Sequence, residues 1–188
     1  MRVVYLLLMA VVSGSLQGCF PVIAAGVGTG IIMAPDRRTS GAFIDDEAIE
    51  NKASSRISNA YKDKVHVNVT SFNRNVLISG EVPGEELKTQ IGKLVSGLEN
   101  VRNVSNELVI SGPTSLTSRS SDSLVTSDVK LRFMQGKRFE ADRVKVVTEN
   151  GTVFLMGIVN HAEADAATEI ASTTGGVQRV VRLFEYVD

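Results

Sequence analysis

The sequence predicts an α+β fold built from two tandem copies of one αββαβ unit, each a small mixed three-stranded sheet packed by two helices. Three observations lead to it. The run Val76-Leu77-Ile78-Ser79-Gly80-Glu81-Val82 returns as Val153-Phe154-Leu155-Met156-Gly157-Ile158-Val159, at an offset of 77. Ile49, Ala53 and Ile57 recur every four residues, which is the period of a helix with one buried face. Val65, Val67 and Val69 alternate with polar residues, which is the period of a strand with one buried face.

The elements follow in order from these periods. In the second copy Val125, Val129 and Phe133 answer to Ile49, Ala53 and Ile57 after a one-residue gap, and Val144 and Val146 answer to Val67 and Val69. Asn73 to Asn75, and Glu149-Asn150-Gly151 in the second copy, are turn residues that fold the alternating strand back onto Val76–Val82 or Val153–Val159 as a hairpin. A second helix is expected over Glu85–Leu98 and over Ala162–Ser172, the latter with a capping box between Asn160 and Glu163. Val104–Ile110 and Val180–Val187 close each unit as a third strand. A helix between the second and third strands implies a right-handed crossover, with both helices on one face of the sheet. The Ser- and Thr-rich stretch at residues 111–122 reads as a linker between units at residues 45–110 and 123–188.

The N-terminus reads differently. Arg2, an apolar run from Val3 to Val12 and the small residues Ser13 to Ser15 make residues 1–18 a signal peptide, and an apolar run of about ten residues is too short to span a bilayer as a helix. Leu16-Gln17-Gly18-Cys19 resembles the bacterial lipobox, which implies acylation of Cys19 and anchoring at a membrane surface. Phe20 follows the cysteine where Asp commonly signals inner-membrane retention in such lipoproteins, so the resemblance implies transfer to the outer membrane. The Gly- and Ala-rich remainder of residues 19–44 is expected to be a tether. Its Gly26-Val27-Gly28-Thr29-Gly30 is not a phosphate loop, because no strand precedes it and no Gly-Lys-Ser/Thr follows.

The αββαβ order, with Gly80 and Gly157 in the second strands, resembles the BON domain, and two copies behind a lipobox resemble the dual-BON-domain outer-membrane lipoproteins of Gram-negative bacteria. The likeness is densest through Thr148-Glu149-Asn150-Gly151-Thr152-Val153-Phe154-Leu155-Met156-Gly157. It implies an outer-membrane lipoprotein facing the periplasm that supports envelope integrity by binding anionic phospholipid, without catalysis or cofactor. For Gly80 and Gly157 a close helix-to-strand approach or a bulge is expected rather than contact with a ligand.

Composition excludes several kinds of chemistry and points to no partner. Twenty Lys and Arg against 21 Asp and Glu leave a net charge of −1, which excludes a strongly basic nucleic-acid binder. One Cys and two His exclude an intrachain disulfide and zinc sites built from several cysteines. His66, placed between Val65 and Val67, and His161, at a helix start, both read as surface residues, and no metal site is expected. No Gly-X-Ser-X-Gly occurs. The acidic runs Asp45-Asp46-Glu47 and Glu85-Glu86 read as charges at helix N-termini.

The two first helices differ. Opposite its core face the first copy carries Asn51, Ser55 and Ser58; the second carries Leu124, Leu131 and Met134, flanked by Lys130 and Lys137. These five are the candidate phospholipid-binding residues, since an apolar stripe rimmed by cations suits a membrane surface. The same pattern suits packing on the first unit or contact with an envelope protein, the latter making the protein a periplasmic adaptor. The lipoproteins it resembles carry an aromatic where Leu124 stands.

Overall fold

The computed structural model describes residues 36–112 and 115–187. The expected signal peptide, Cys19 and most of the expected tether lie outside the described residues. Helix α1 (Ser40–Tyr61) begins inside the segment expected as tether, because Thr39 caps it by accepting the Ala42 amide at 3.1 Å and Ala42 is already buried. A 3₁₀ turn leads into the hairpin β1 (His66–Phe72) and β2 (Asn75–Val82), then α2 (Glu85–Ser96), β3 (Asn103–Asn106) and the short β4 (Val109–Ile110). The second copy runs α3 (Leu116–Gly136), β5 (Val144–Glu149), β6 (Thr152–Val159), α4 (His161–Ser172) and β7 (Arg179–Tyr186). Helix α3 therefore takes up half of the expected linker, with Ser115 as its cap.

In each copy the first two strands are antiparallel and the last pairs in parallel with the second, so β2 and β6 are central. The first copy's last strand is broken into β3 and β4 around buried Leu108, whereas β7 is continuous. Both hairpins turn on two residues of positive φ, Asn73 and Arg74 in one and Asn150 and Gly151 in the other, the conformation whose twist suits a two-residue hairpin. Each copy buries its own core between its helices and one sheet face: Ile49, Ala53, Ile57, Ile78, Ile91 and Val95 in the first, Val125, Val129, Phe133, Leu155, Ala167 and Ile170 in the second. Asn160 and Glu163 form the capping box of α4, each accepting the other's backbone amide.

The copies also share a third apolar cluster. Phe72 and Leu77 from the first sheet pack with Phe154, Met156 and Ile158 from the second, so the sheet faces turned away from the helices cover one another. Polar contacts frame this seam: Asn68 to Glu149 at 2.8 Å, Asn73 to Glu185 at 2.8 Å, and Lys145 to Glu50 at 2.8 Å. Both copies fall within one compact unit.

Three expectations need correction. His66 is not a surface residue, because the face of β1 opposite Val67 is covered by the second copy; its ring lies 2.9 Å from the Glu81 carboxylate. Asp46 does not sit at a helix N-terminus, since α1 starts six residues earlier. Its buried carboxylate instead accepts the Asn73 and Arg74 amides, at 2.8 and 2.7 Å. Gly80 and Gly157 are required by the backbone beside them and not by the packing helices: a Cβ at Gly80 would collide with the His66 carbonyl in β1 and one at Gly157 with the carbonyl of Arg143 in the 3₁₀ turn just before β5, and Gly80 has φ +115°.

Candidate functional site

Helix α3 has two apolar faces with different fates. Val125, Val129 and Phe133 are at most 6% exposed and fill the second core. On the opposite side Leu124 is 68% exposed, Leu131 47% and Met134 57%. At about 100° per residue these three fall within one stripe, with Lys130 and Lys137 along one edge and exposed Asp128 along the other. Neither lysine makes an ion pair among the described residues. The equivalent face of α1 is exposed and polar, carrying Asn51, Ser55 and Ser58. No helix among the described residues is long and apolar enough to cross a membrane.

The stripe leads into a cavity of about 480 Å³ between the copies. Lys130 and Met134 line it from α3, Arg38, Phe43 and Phe72 from the first copy, and Lys145 from β5, together with the carboxylates of Asp46, Glu47, Glu50 and Asp142. The Arg38 guanidinium lies 4.2 Å from the Phe72 ring centroid and 5.1 Å from that of Phe43, a cation–π arrangement. Burial works against its charge, but hydrogen bonds to Asp36 and Asp46 more than offset that and raise its pKa, so Arg38 is a fixed cation. Phe43 is 48% exposed and Ile44 67%, which extends the apolar surface to the start of α1. Sequence reasoning assigned these two to the tether. The signal was there in an aromatic–aliphatic pair directly preceding the helical pattern.

Of the five residues expected to meet phospholipid, Leu124, Lys130, Leu131 and Met134 sit on α3 and Lys137 is its left-handed C-cap; Lys130 and Met134 also line the cavity. Cys19 lies outside the described residues. His161 is exposed at the first position of α4 and stacks on Tyr186, ring centroids 4.3 Å apart. Glu163 is the most heavily bonded carboxylate of the second copy: besides the Asn160 amide it accepts from Arg37 at 2.7 Å and from Arg143.

Comparison with known proteins agrees with this architecture. A family model described as "BON domain" matches residues 45–112 and 121–188. Outer membrane lipoprotein DolP of Haemophilus influenzae is 39% identical over 175 residues, covering 92% of this chain and 91% of that protein. The 21 kDa hemolysin of Actinobacillus pleuropneumoniae is 33% identical over 154 residues, 81% of this chain and 79% of that one. Osmotically-inducible protein Y of Escherichia coli is 29% identical over 144 residues, 74% and 72% of the respective chains. With both halves of its repeat matched and a relative aligned almost end to end, the chain belongs to the BON-domain family.

Proposed function

We propose that the protein is a non-enzymatic lipoprotein of the outer membrane, anchored through Cys19 and facing the periplasm, whose second BON domain binds anionic phospholipid and so supports envelope integrity. The observation that carries this reading is the exposed stripe Leu124, Leu131 and Met134 with unpaired Lys130 and Lys137 beside it. The corresponding face of the first copy's helix carries Asn51, Ser55 and Ser58, with exposed Ile44 at its start. Likeness to an outer-membrane lipoprotein over 92% of the chain supports the location.

The energetics suit a docked and anchored protein. Full burial of a Leu or Met side chain contributes roughly 1.5–3 kcal/mol, and a lysine near an anionic surface about 1 kcal/mol. Partial insertion of three side chains, less the cost of association, leaves weak binding for the free chain. An acylated Cys19 holds the domain at the bilayer and raises its effective concentration there, so weak docking is enough. The cavity beside the stripe, lined by Phe43, Phe72 and Met134, carries Arg38, Lys130 and Lys145 together with Asp46, Glu47, Glu50 and Asp142, so the preference for an anionic surface rests on the exposed stripe and its lysines and not on the cavity.

Addition of micelles containing phosphatidylglycerol to the chain from residue 20 onward tests the reading by amide chemical shifts. Changes centred on residues 124–137, and absent with zwitterionic micelles, are the expected result. Shifts confined to other elements, or none, would favour the adaptor reading, in which the same stripe receives an envelope protein.

A further inference from the structure

The seam between the two sheets gathers three side chains that the lipid reading does not use. His66 on β1 stands directly across from Glu81 on β2. Its Nδ1 lies 2.9 Å from Glu81 Oε2 and 3.9 Å from Oε1 of Glu149, at the end of β5 in the other copy. One donor atom from each of the three falls within 4.8 Å of the others. Glu81 is 3% exposed and Glu149 9%. Two buried carboxylates side by side are costly unless a cation meets them. Of the other buried carboxylates, Asp46 is met by Arg38 and Glu163 by Arg37 and Arg143, while Asp122 accepts two backbone amides. In the seam the His66 imidazole stands beside both carboxylates, and Arg119 lines the cavity next to them.

The surroundings orient the group. Glu149 Oε2 accepts from Asn68 Nδ2 at 2.8 Å and from Ser79 Oγ at 3.5 Å, which holds the other oxygen on the histidine side, as outer hydrogen bonds orient a ligating carboxylate. A cavity of about 280 Å³, lined by His66, Asn68, Arg119, Asp122, Thr148 and Glu149, opens on the group and gives an ion an entry and water to complete its shell. We propose that His66, Glu81 and Glu149 form a divalent-metal site, with zinc as the ion, and that the bound metal ties the two BON domains together. One imidazole nitrogen and two carboxylate oxygens, with water in the fourth position, is a donor set that zinc takes; magnesium prefers an octahedron of oxygens. Tetrahedral zinc at about 2.0–2.1 Å from each ligand sets donors about 3.3 Å apart. The separations of 2.9 and 3.9 Å lie either side of that, within reach of small side-chain rotations.

This inference is independent of lipid binding, and its test uses no lipid. The full chain, purified in detergent and stripped with a chelator, is titrated with zinc chloride alone by calorimetry and melted with and without it. One ion per chain is expected, with a melting temperature about 5–10 °C higher at saturating zinc and unmoved by magnesium. His66→Gln and Glu149→Gln should each weaken binding tenfold or more, while His161→Gln leaves it unchanged. Both glutamine variants are close in size to the natural residues; if one fails to fold in chelator, the other carries the test. Absence of heat and of any melting shift in the natural chain would overturn the proposal. Zinc binding that survives both variants would equally overturn it, as adventitious binding at the surface.

Discussion

Asp46 and Asp122 hold the same place in the two copies, on the first helix and facing the hairpin turn of their own sheet. Asp46 accepts the Asn73 and Arg74 amides, the Ser71 hydroxyl at 2.6 Å and Arg38; Asp122 accepts the Asn150 and Gly151 amides at 2.8 and 2.9 Å. The turns have positive φ, and their amides point away from the sheet, so a carboxylate from the helix satisfies donors that the ladder cannot. The register of the repeat aligns Asp46 with Asp122 as it aligns Ile49 with Val125, but the sequence pattern places Asp122 in the linker and Asp46 at a helix N-terminus. What hid the role was the start of α1, which lies outside the apolar periodicity and depends on a cap at Thr39. Asp46→Ala leaves two turn amides and Arg38 without their acceptor, and should lower stability by about 2–4 kcal/mol. Urea unfolding of the variant measures this; a loss below about 0.5 kcal/mol would mean that water replaces the carboxylate.

At the scale of elements, the alternation of Val65, Val67 and Val69 and the four-residue period of Ile49 were legible because each reports one buried face. The central strands carried a further message in plain view. Val153-Phe154-Leu155-Met156 has no alternation, and a strand apolar on both sides is one buried on both faces. The second covering layer is the other copy's sheet, which places His66 and Glu149 in a seam instead of at the surface. No local pattern identifies that partner, because sheet-on-sheet packing joins residues some eighty positions apart. Helix α4 is tied into the molecule by Glu163. Burial alone would raise its pKa, but hydrogen bonds from Arg37, the Asn160 amide and Arg143 hold it below the ordinary glutamate value. Since the folded value is depressed, the stabilisation is complete at neutral pH and fades as pH falls below about 4.3 toward the folded value. Glu163→Gln should therefore lower the melting temperature at pH 7 and flatten its decline between pH 5 and pH 3. An unchanged slope would show that other carboxylates govern acid unfolding.

At the scale of the whole molecule, two copies of one unit differ in the outer faces of their first helices. Each keeps its own core, and the back faces of the sheets lock together, so the first helices are free to differ on their outer sides. In α1 that side is polar. In α3 it is apolar and flanked by lysines, and it continues through Met134 into the cavity shared with Phe43. The contrast between Asn51, Ser55 and Ser58 and Leu124, Leu131 and Met134 was readable from sequence, but whether the stripe packed internally was not, because helical period gives a face and not its neighbour. The most direct measurement is flotation of the chain from residue 20 onward with phosphatidylglycerol vesicles, comparing the natural protein with Leu131→Glu. A carboxylate in the middle of the stripe should abolish flotation while leaving the melting temperature within about 1 °C, since Leu131 is half exposed and surface changes of this kind shift stability little. A variant that melts earlier yet floats as well as the natural chain would contradict the account, making the stripe a packing surface and placing any lipid site elsewhere.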